Sequence, residues 1–319
     1  MLRKVLTRFR AYQLGTEGSS FSYLADGYFT LIEARLNDAS TPTLANELEA
    51  CDKKLIDCLH ITSWDKDHCE PSELKLILTE LAPSKIEYPG YEPHTEAAEE
   101  SLRIISAYAG SPKRPGVTPT KQKVDPSYIK KLAAANSFAY QDVIYHPKFL
   151  TEDNSNDNST VKLFRRGCFN LASFGDVESE DISSYLREDG ILKGEVDVMI
   201  LAHHGADNGF TTKKFLERVH PTVAICSSNY DNQFEHPREE IRELLHELGI
   251  PIFTTKTGDI VIRSLDPHTK KFTVINLIAN SEEVSSTNTY TSKKSQYLIH
   301  NDDTLRDRRA VHPQWPRQR

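Results

Sequence analysis

The chain has 319 residues, of which 38% are apolar and 27% charged, and it carries a formal net charge of −7. An acidic balance argues against a generic nucleic-acid coat, which is usually basic overall, but leaves room for a local basic patch. No apolar run approaches the roughly 20 residues of a membrane helix, and five scattered cysteines without a C-x-x-C pair suggest neither a disulfide framework nor a zinc knuckle.

Residues 5–10, 21–24 and 28–33 read as three strands. The first of these makes a poor signal peptide, because no apolar stretch follows its basic residues. Gly15-Thr16-Glu17-Gly18-Ser19-Ser20 turns between the first two strands, and Ala25-Asp26-Gly27 makes a tight hairpin turn. Residues 40–52 look helical, and 55–61 form a short apolar run suited to a buried strand. A helix starting at Pro71 or Ser72 puts Leu74, Ile77, Leu78 and Leu81 on one face. Residues 86–88 follow as a strand, and Thr95 caps a helix running to about Tyr108. The stretch 110–126, rich in Pro, Gly and Lys, reads as a loop, with six basic residues against one acid over 111–131. Strands are expected at 160–164, 168–174, 196–202, 223–227, 252–254, 259–263 and 272–278, and helices at 179–186 and from Pro237 to Gly249. From Ser281 onward no apolar periodicity remains, so 281–319 is expected to be a flexible or loosely docked tail behind a domain spanning 1–280.

Chemistry concentrates where apolar strands run into turns. Thr62-Ser63-Trp64-Asp65-Lys66-Asp67-His68 lies between a strand and a helix, a position where ligand groups of α/β folds converge. Carboxylates beside an imidazole there make a divalent-metal half-site, although an isolated acidic turn of this kind is more often just solvated surface. Gly175-Asp176 and His203-His204-Gly205 repeat the pattern after two further strands.

With these turns in this order, the sequence resembles the metallo-β-lactamase superfamily, and within it the hydrolase domains of competence-protein (ComEC) type. The Gly-rich turn over 15–20 matches the subgroup's opening. Its S/T-H-x-D-x-D-H segment is matched by Thr62 to His68, except that Ser63 stands where the family has His. Asn156 to Ser159, Gly175-Asp176 and His203 to Gly205 match the next three motifs, and Ser228, Asn229, Asn232 and His236-Pro237 match the last. The likeness covers about residues 5–280.

The resemblance implies a four-layer αββα sandwich, an α/β fold with a hydrolytic metal centre at its sheet edges. Asp67, His68 and His204 would bind one metal, with Asp176 bridging or completing the set and Asp65 serving the neighbouring position. His204 is preferred to His203 because ligands in this turn commonly precede Gly. Ser63 removes an imidazole, so one ion or two are both consistent, with His94 or His146 as substitutes for the missing ligand. Zinc and manganese both suit the donor set. A bound ion would generate hydroxide at neutral pH, Asp65 or Asp67 would orient the water, and His236 would contact a phosphate near a helix N-terminus. Ser228, Asn229 and Asn232 would bind substrate beside it.

The expected function is therefore a metal-dependent phosphodiesterase or nuclease acting on nucleic acid, with the basic 110–131 segment holding the polyanion. Hydrolysis of a small phosphoester or nucleotide is the second reading, and a degenerate binding or adaptor module the third. A cytoplasmic effector, as in phage defence, would suit a lone hydrolase, with a protein partner reached through the tail and no membrane contact.

Overall fold

The computed structural model describes residues 5–110, 117–135, 141–265 and 270–293. The strands are β1 (Thr7–Ala11), β2 (Phe21–Ala25), β3 (Tyr28–Ile32), β4 (Cys58–His60), β5 (Lys85–Pro89), β6 (Thr120–Val124), β7 (Val143–His146), β8 (Val161–Phe164), β9 (Leu171–Ser173), β10 (Val198–Ile200), β11 (Val223–Cys226), β12 (Ile252–Thr254), β13 (Ile260–Ser264), β14 (Lys271–Leu277) and β15 (Val284–Thr291). The helices are α1 (Ser40–Ala50), α2 (Pro71–Glu80), α3 (Glu96–Ala109), α4 (Pro126–Ala135), α5 (Glu180–Leu186), α6 (Gly190–Glu195), α7 (Lys213–Val219) and α8 (Glu239–Glu247).

One sheet runs β15-β14-β13-β1-β2-β3-β4-β5-β6 and the other β12-β11-β10-β9-β8-β7. Both are mixed: β3 through β6 and β9 through β12 are parallel, and the remaining pairs are antiparallel.

Side-chain alternation along the strands shows how the layers stack, because successive residues face opposite sides of a sheet. Phe9, Phe21, Tyr23 and Ile262 meet Leu171, Val198, Ile200, Val223 and Ile225 in a core between the two sheets. The intervening Leu24, Phe29, Leu31 and Leu59 pack instead on Leu44, Leu74, Ile77 and Ile105 of α1, α2 and α3. Met199, Ala224 and Cys226 likewise turn outward to Ile182, Phe215, Ile241 and Leu245 of α5, α7 and α8. Three cores separate four layers, which is the αββα sandwich of the metallo-β-lactamase fold.

Most expected elements are present to within a few residues. Asp26 and Gly27 both adopt positive φ (58° and 70°), the backbone of a tight two-residue hairpin. The Thr95 hydroxyl accepts from the Ala98 N–H at the start of α3.

Three expectations are corrected. The stretch read as a basic loop contains β6 and leads directly into α4, while residues 111–116 of it lie outside the described residues. β6 is the outer strand of its sheet, where charged side chains are favoured because they discourage edge pairing, so its sequence Thr-Lys-Gln-Lys-Val carries little strand signal. Lys123 pairs with Glu92 at 2.5 Å and Lys121 donates to the Ser106 hydroxyl at 2.9 Å.

The supposed tail is also partly structured. β15 pairs with β14 along 271–277, Ser292 Oγ donates to the Cys168 carbonyl, and the Lys293 N–H donates to Asp197 Oδ1. Residues 294–319 lie outside the described residues. Finally β7, α6 and α7 had no counterpart in the sequence reading. No helix among the described residues is long and apolar enough to cross a membrane.

Candidate metal centre

The C-terminal ends of β4, β9, β10 and β11 lie at one edge of the sandwich, and the turns beyond them carry the polar groups singled out above. Asp67, His68, Asp176 and His204 each present a ligand atom, and all four atoms lie within 4.8 Å of one another. His68 Nε2 is 2.8 Å from Asp176 Oδ2 and 3.8 Å from Asp67 Oδ2. His204 Nε2 is 3.0 Å from Asp67 Oδ2.

The backbone is shaped to hold these groups. Ser19 N–H donates to the Asp67 carbonyl at 2.9 Å, bringing the Gly-rich turn against the ligand loop. A Cβ on Gly18 would stand 2.7 Å from that carbonyl and 2.3 Å from Arg35 Nη1, and the φ of Gly18 is +126°, so only glycine fits. Gly175 (φ +55°) would similarly press a Cβ within 2.9 Å of Ser159. His203 and His204 both take left-handed φ (44° and 54°), an unfavourable backbone for non-glycine residues of the kind that gathers at functional sites.

Each histidine is oriented through its other ring nitrogen. His204 Nδ1 faces the Ser227 carbonyl at 2.9 Å, so it must carry the proton and donate. Thr62 Oγ1 gives its proton to Glu33 Oε1 at 2.6 Å, which leaves that oxygen to accept from His68 Nδ1 at 3.3 Å. Glu33 Oε1 is itself 3.3 Å from His68 Nδ1. Both rings thereby direct Nε2 at the group, the tautomer a metal requires.

Asp176 Oδ1 is buried without a hydrogen-bond partner, and the buried His68 Nε2 is in ion-pair range of Asp176 Oδ2 at 2.8 Å. Buried polar atoms are normally paired. An unpaired carboxylate oxygen converging with two imidazole nitrogens and a second carboxylate fits a divalent cation well.

Protonation follows the same geometry. Burial alone would push the His68 imidazolium down, but Asp176, Asp67 and Glu33 hold its pKa well above the ordinary value. His204 is likewise raised, its burial outweighed by the Asp67 hydrogen bond and the Asp176 charge. Burial would raise Asp67, yet His68 and His204 drive it well below the carboxylate range.

The other expected residues sit around this group. Asp65 lies outside the four: its Oδ2 accepts from Ser63 Oγ at 2.8 Å, and burial pushes its carboxyl up. Ser63, in the place of the family imidazole, is fully buried and shares its hydroxyl with Tyr91 OH at 3.0 Å. The Trp64 N–H donates to that same phenol, so Tyr91, Ser63 and Asp65 form one directed chain. His203 is also outside, with Nδ1 2.6 Å from Glu178 Oε1, and Asn156 Nδ2 donates to that same oxygen at 2.8 Å. Neither suggested substitute joins the group. His94 stacks on Tyr91, and His146 Nε2 contacts the Asp157 carbonyl at 2.5 Å.

A cleft of about 300 Å³ opens beside Asp67 and His204, lined also by Ser228, Asn229, Asn232, Phe234 and His236. Asn232 braces its own loop, accepting from the His236 N–H at 2.7 Å and donating to the His236 and Asn229 carbonyls. His236 is stacked parallel to His204 (6.0 Å, 5°), and burial with the nearby His204 and His203 pushes it down to about 4. Arg238, two residues further on, is the N-cap of α8, whose first turn carries Glu239 and Glu240. Lys121 and Lys123 do not line the cleft.

Glu33 and Tyr91 escaped the sequence reading. A lone Glu at a strand end and a Tyr in a loop carry no motif signal, and only the fold brings them to His68 and Ser63.

No family model matches the chain. Over 214 residues it is 23% identical to ComE operon protein 3 of Bacillus subtilis, covering 66% of this chain and 25% of that protein. Over 146 residues it is 27% identical to Recombination protein 2 of Haemophilus influenzae, covering 45% of this chain and 18% of that one. The chain thus matches a quarter or less of the length of these distant homologues. Among solved structures, the metallo-β-lactamase fold protein YhfI from Bacillus subtilis is similar at a TM-score of 0.45 and 11% identity, over 81% of this chain and all of that one.

Proposed function

We propose that this chain is a metal-dependent phosphodiesterase whose substrate class is nucleic acid. The observation that carries the reading is the group of Asp67, His68, Asp176 and His204, with an unpaired buried oxygen on Asp176 and both imidazoles oriented by their far nitrogens. These four would hold the ion. When bound, a divalent cation lowers the pKa of water toward about 7 and takes up charge on a phosphoryl oxygen.

The surrounding residues perform the rest. Glu33, Thr62 and the Ser227 carbonyl keep the rings in register. Neutral His236, on the cleft side of His204, offers a hydrogen bond to a phosphate oxygen without bringing a competing cation. Asp65, its Oδ2 held by the Ser63 hydroxyl, supplies a carboxylate acceptor near the group.

One observation favours hydrolysis of a small phosphoester or nucleotide instead. The cleft is small, and its charged lining is Glu17, Lys66 and Asp67 rather than a basic track.

The test is hydrolysis by the purified chain, with zinc or manganese, of single-stranded DNA, double-stranded DNA and mononucleotide phosphoesters, beside Asp176→Ala and His204→Ala. Cleavage of an oligonucleotide, lost in both variants, is expected. Turnover confined to the mononucleotides moves the assignment to the small-substrate reading, and an ion-loaded protein inert toward all of them refutes hydrolysis.

A further inference from the structure

The loop between β11 and α8 places aromatic rings where a phosphodiesterase of unknown substrate would not need them. Phe234 lines the cleft and is 53% exposed, and Tyr230 on the same loop is 75% exposed. A single exposed apolar side chain is ordinary, but Phe234 is not isolated. Its ring stacks on His236 at 5.6 Å and 23°, and His236 stacks on the ligand His204 at 6.0 Å and 5°. The three rings form a ladder leading from the metal group to the mouth of the cleft.

The loop that carries them is held in place. Asn232 closes it on itself through three backbone contacts, and Gln233 Nε2 reaches across the cleft to Glu17 Oε1 at 3.0 Å. The last ring is therefore a positioned flat surface, one end packed and the remainder open.

We infer that Phe234, backed by His236, is a stacking shelf for a nucleobase adjoining the phosphate held at the metal group. This rests on the phosphodiesterase reading and deepens it: the substrate, polymer or mononucleotide, is recognised by an unpaired aromatic base. Charge supports the same choice. Among the described residues, Lys66 is the one lysine or arginine lining the cleft, against Glu17 and Asp67, so this lining forms no cationic funnel. Base–aromatic stacking supplies affinity without further cations, because every base has a π-face. A duplex, whose bases are already stacked, would not use the shelf.

The test uses the zinc-loaded full chain and a short thymidine oligonucleotide with one 2-aminopurine, whose fluorescence is quenched on stacking. A chain of the same length in which every residue is abasic serves as the comparison. Wild type and Phe234→Tyr are expected to bind the base-bearing probe alike and quench it, and Phe234→Ala to bind it roughly 5- to 100-fold more weakly. Abasic DNA should bind wild type about as weakly as base-bearing DNA binds Phe234→Ala. The affinity of wild type should fall only shallowly with salt, with a logarithmic slope of about one. Equal binding of both probes to wild type would overturn the shelf and leave the phosphodiesterase reading standing. Failure of wild type to bind either probe, or mononucleotides, would overturn both.

Discussion

Glu33 is buried at 1% exposure with φ +70°, an unfavourable combination for a carboxylate that nothing requires unless it has a task. It accepts from the Thr62 N–H at 3.0 Å and the Thr62 hydroxyl at 2.6 Å, and its Oε1 stands 3.3 Å from His68 Nδ1. A carboxylate behind a metal-ligating imidazole fixes the ring and strengthens its basicity. Glu33→Gln should therefore lower zinc affinity by roughly 10- to 100-fold in titration calorimetry, with the circular dichroism spectrum unchanged. Unaltered affinity would make Glu33 a mere support of the loop. Protons compete for the same site. In the metal-free protein His68 and His204 have raised pKa values, so their ion pairs with Asp67 and Asp176 are complete below the ordinary histidine value of about 6.5. That stabilisation is lost as pH rises through the raised values. Metal affinity should thus climb with pH across the neutral range. The melting temperature of the metal-free protein should fall over the same interval, and saturating zinc should abolish the fall.

At the scale of elements, legibility followed amphipathic contrast. β1 to β4, β8 to β11 and α1 to α3 announce themselves because their apolar residues alternate or repeat against polar flanks, and burial in three cores is what that pattern reports. The ligand turns were legible for a related reason: Asp67-His68, Gly175-Asp176 and His204-Gly205 each interrupt an apolar run with a turn. What failed were edge strands that bury little and helices too short to show a period. β6 and β15 are sheet-edge strands whose polar residues are compatible with an edge, and α6 and α7 are only 6 and 7 residues long. β15 is mostly exposed, yet Tyr290 packs at 5.8 Å from Phe272 and 6.4 Å from Phe253, under the open end of the inter-sheet core. Tyr290→Ala should therefore destabilise the protein by about 1–2 kcal/mol in urea unfolding, with metal content preserved. No change in stability would mean that the strand contributes nothing to the core it covers.

Across the whole molecule, one sheet sends β4 and the other β9 and β10 to a shared edge, and neither sheet alone assembles the centre. Asp67 and His68 come from the turn after β4, Asp176 from the turn after β9, and His204 from the turn after β10. The inter-sheet core thus sets the spacing of the ligands, and the Thr160 N–H donating to the Thr62 carbonyl at 3.0 Å ties the two halves at that edge. This is the relation the sequence could only imply through resemblance, because pairing of distant turns depends on sheet topology rather than on local pattern. Ser63 bears on stoichiometry: with its hydroxyl committed to Asp65 and Tyr91, the described residues assemble a single four-donor group. The most direct measurement is metal content by mass spectrometry after zinc or manganese reconstitution and removal of free ion, for wild type, His68→Ala and His204→Ala. About one ion per chain in wild type and none in either variant is the predicted result. A wild type that takes up no ion, or a variant that keeps its full complement, would contradict the assignment of these four residues.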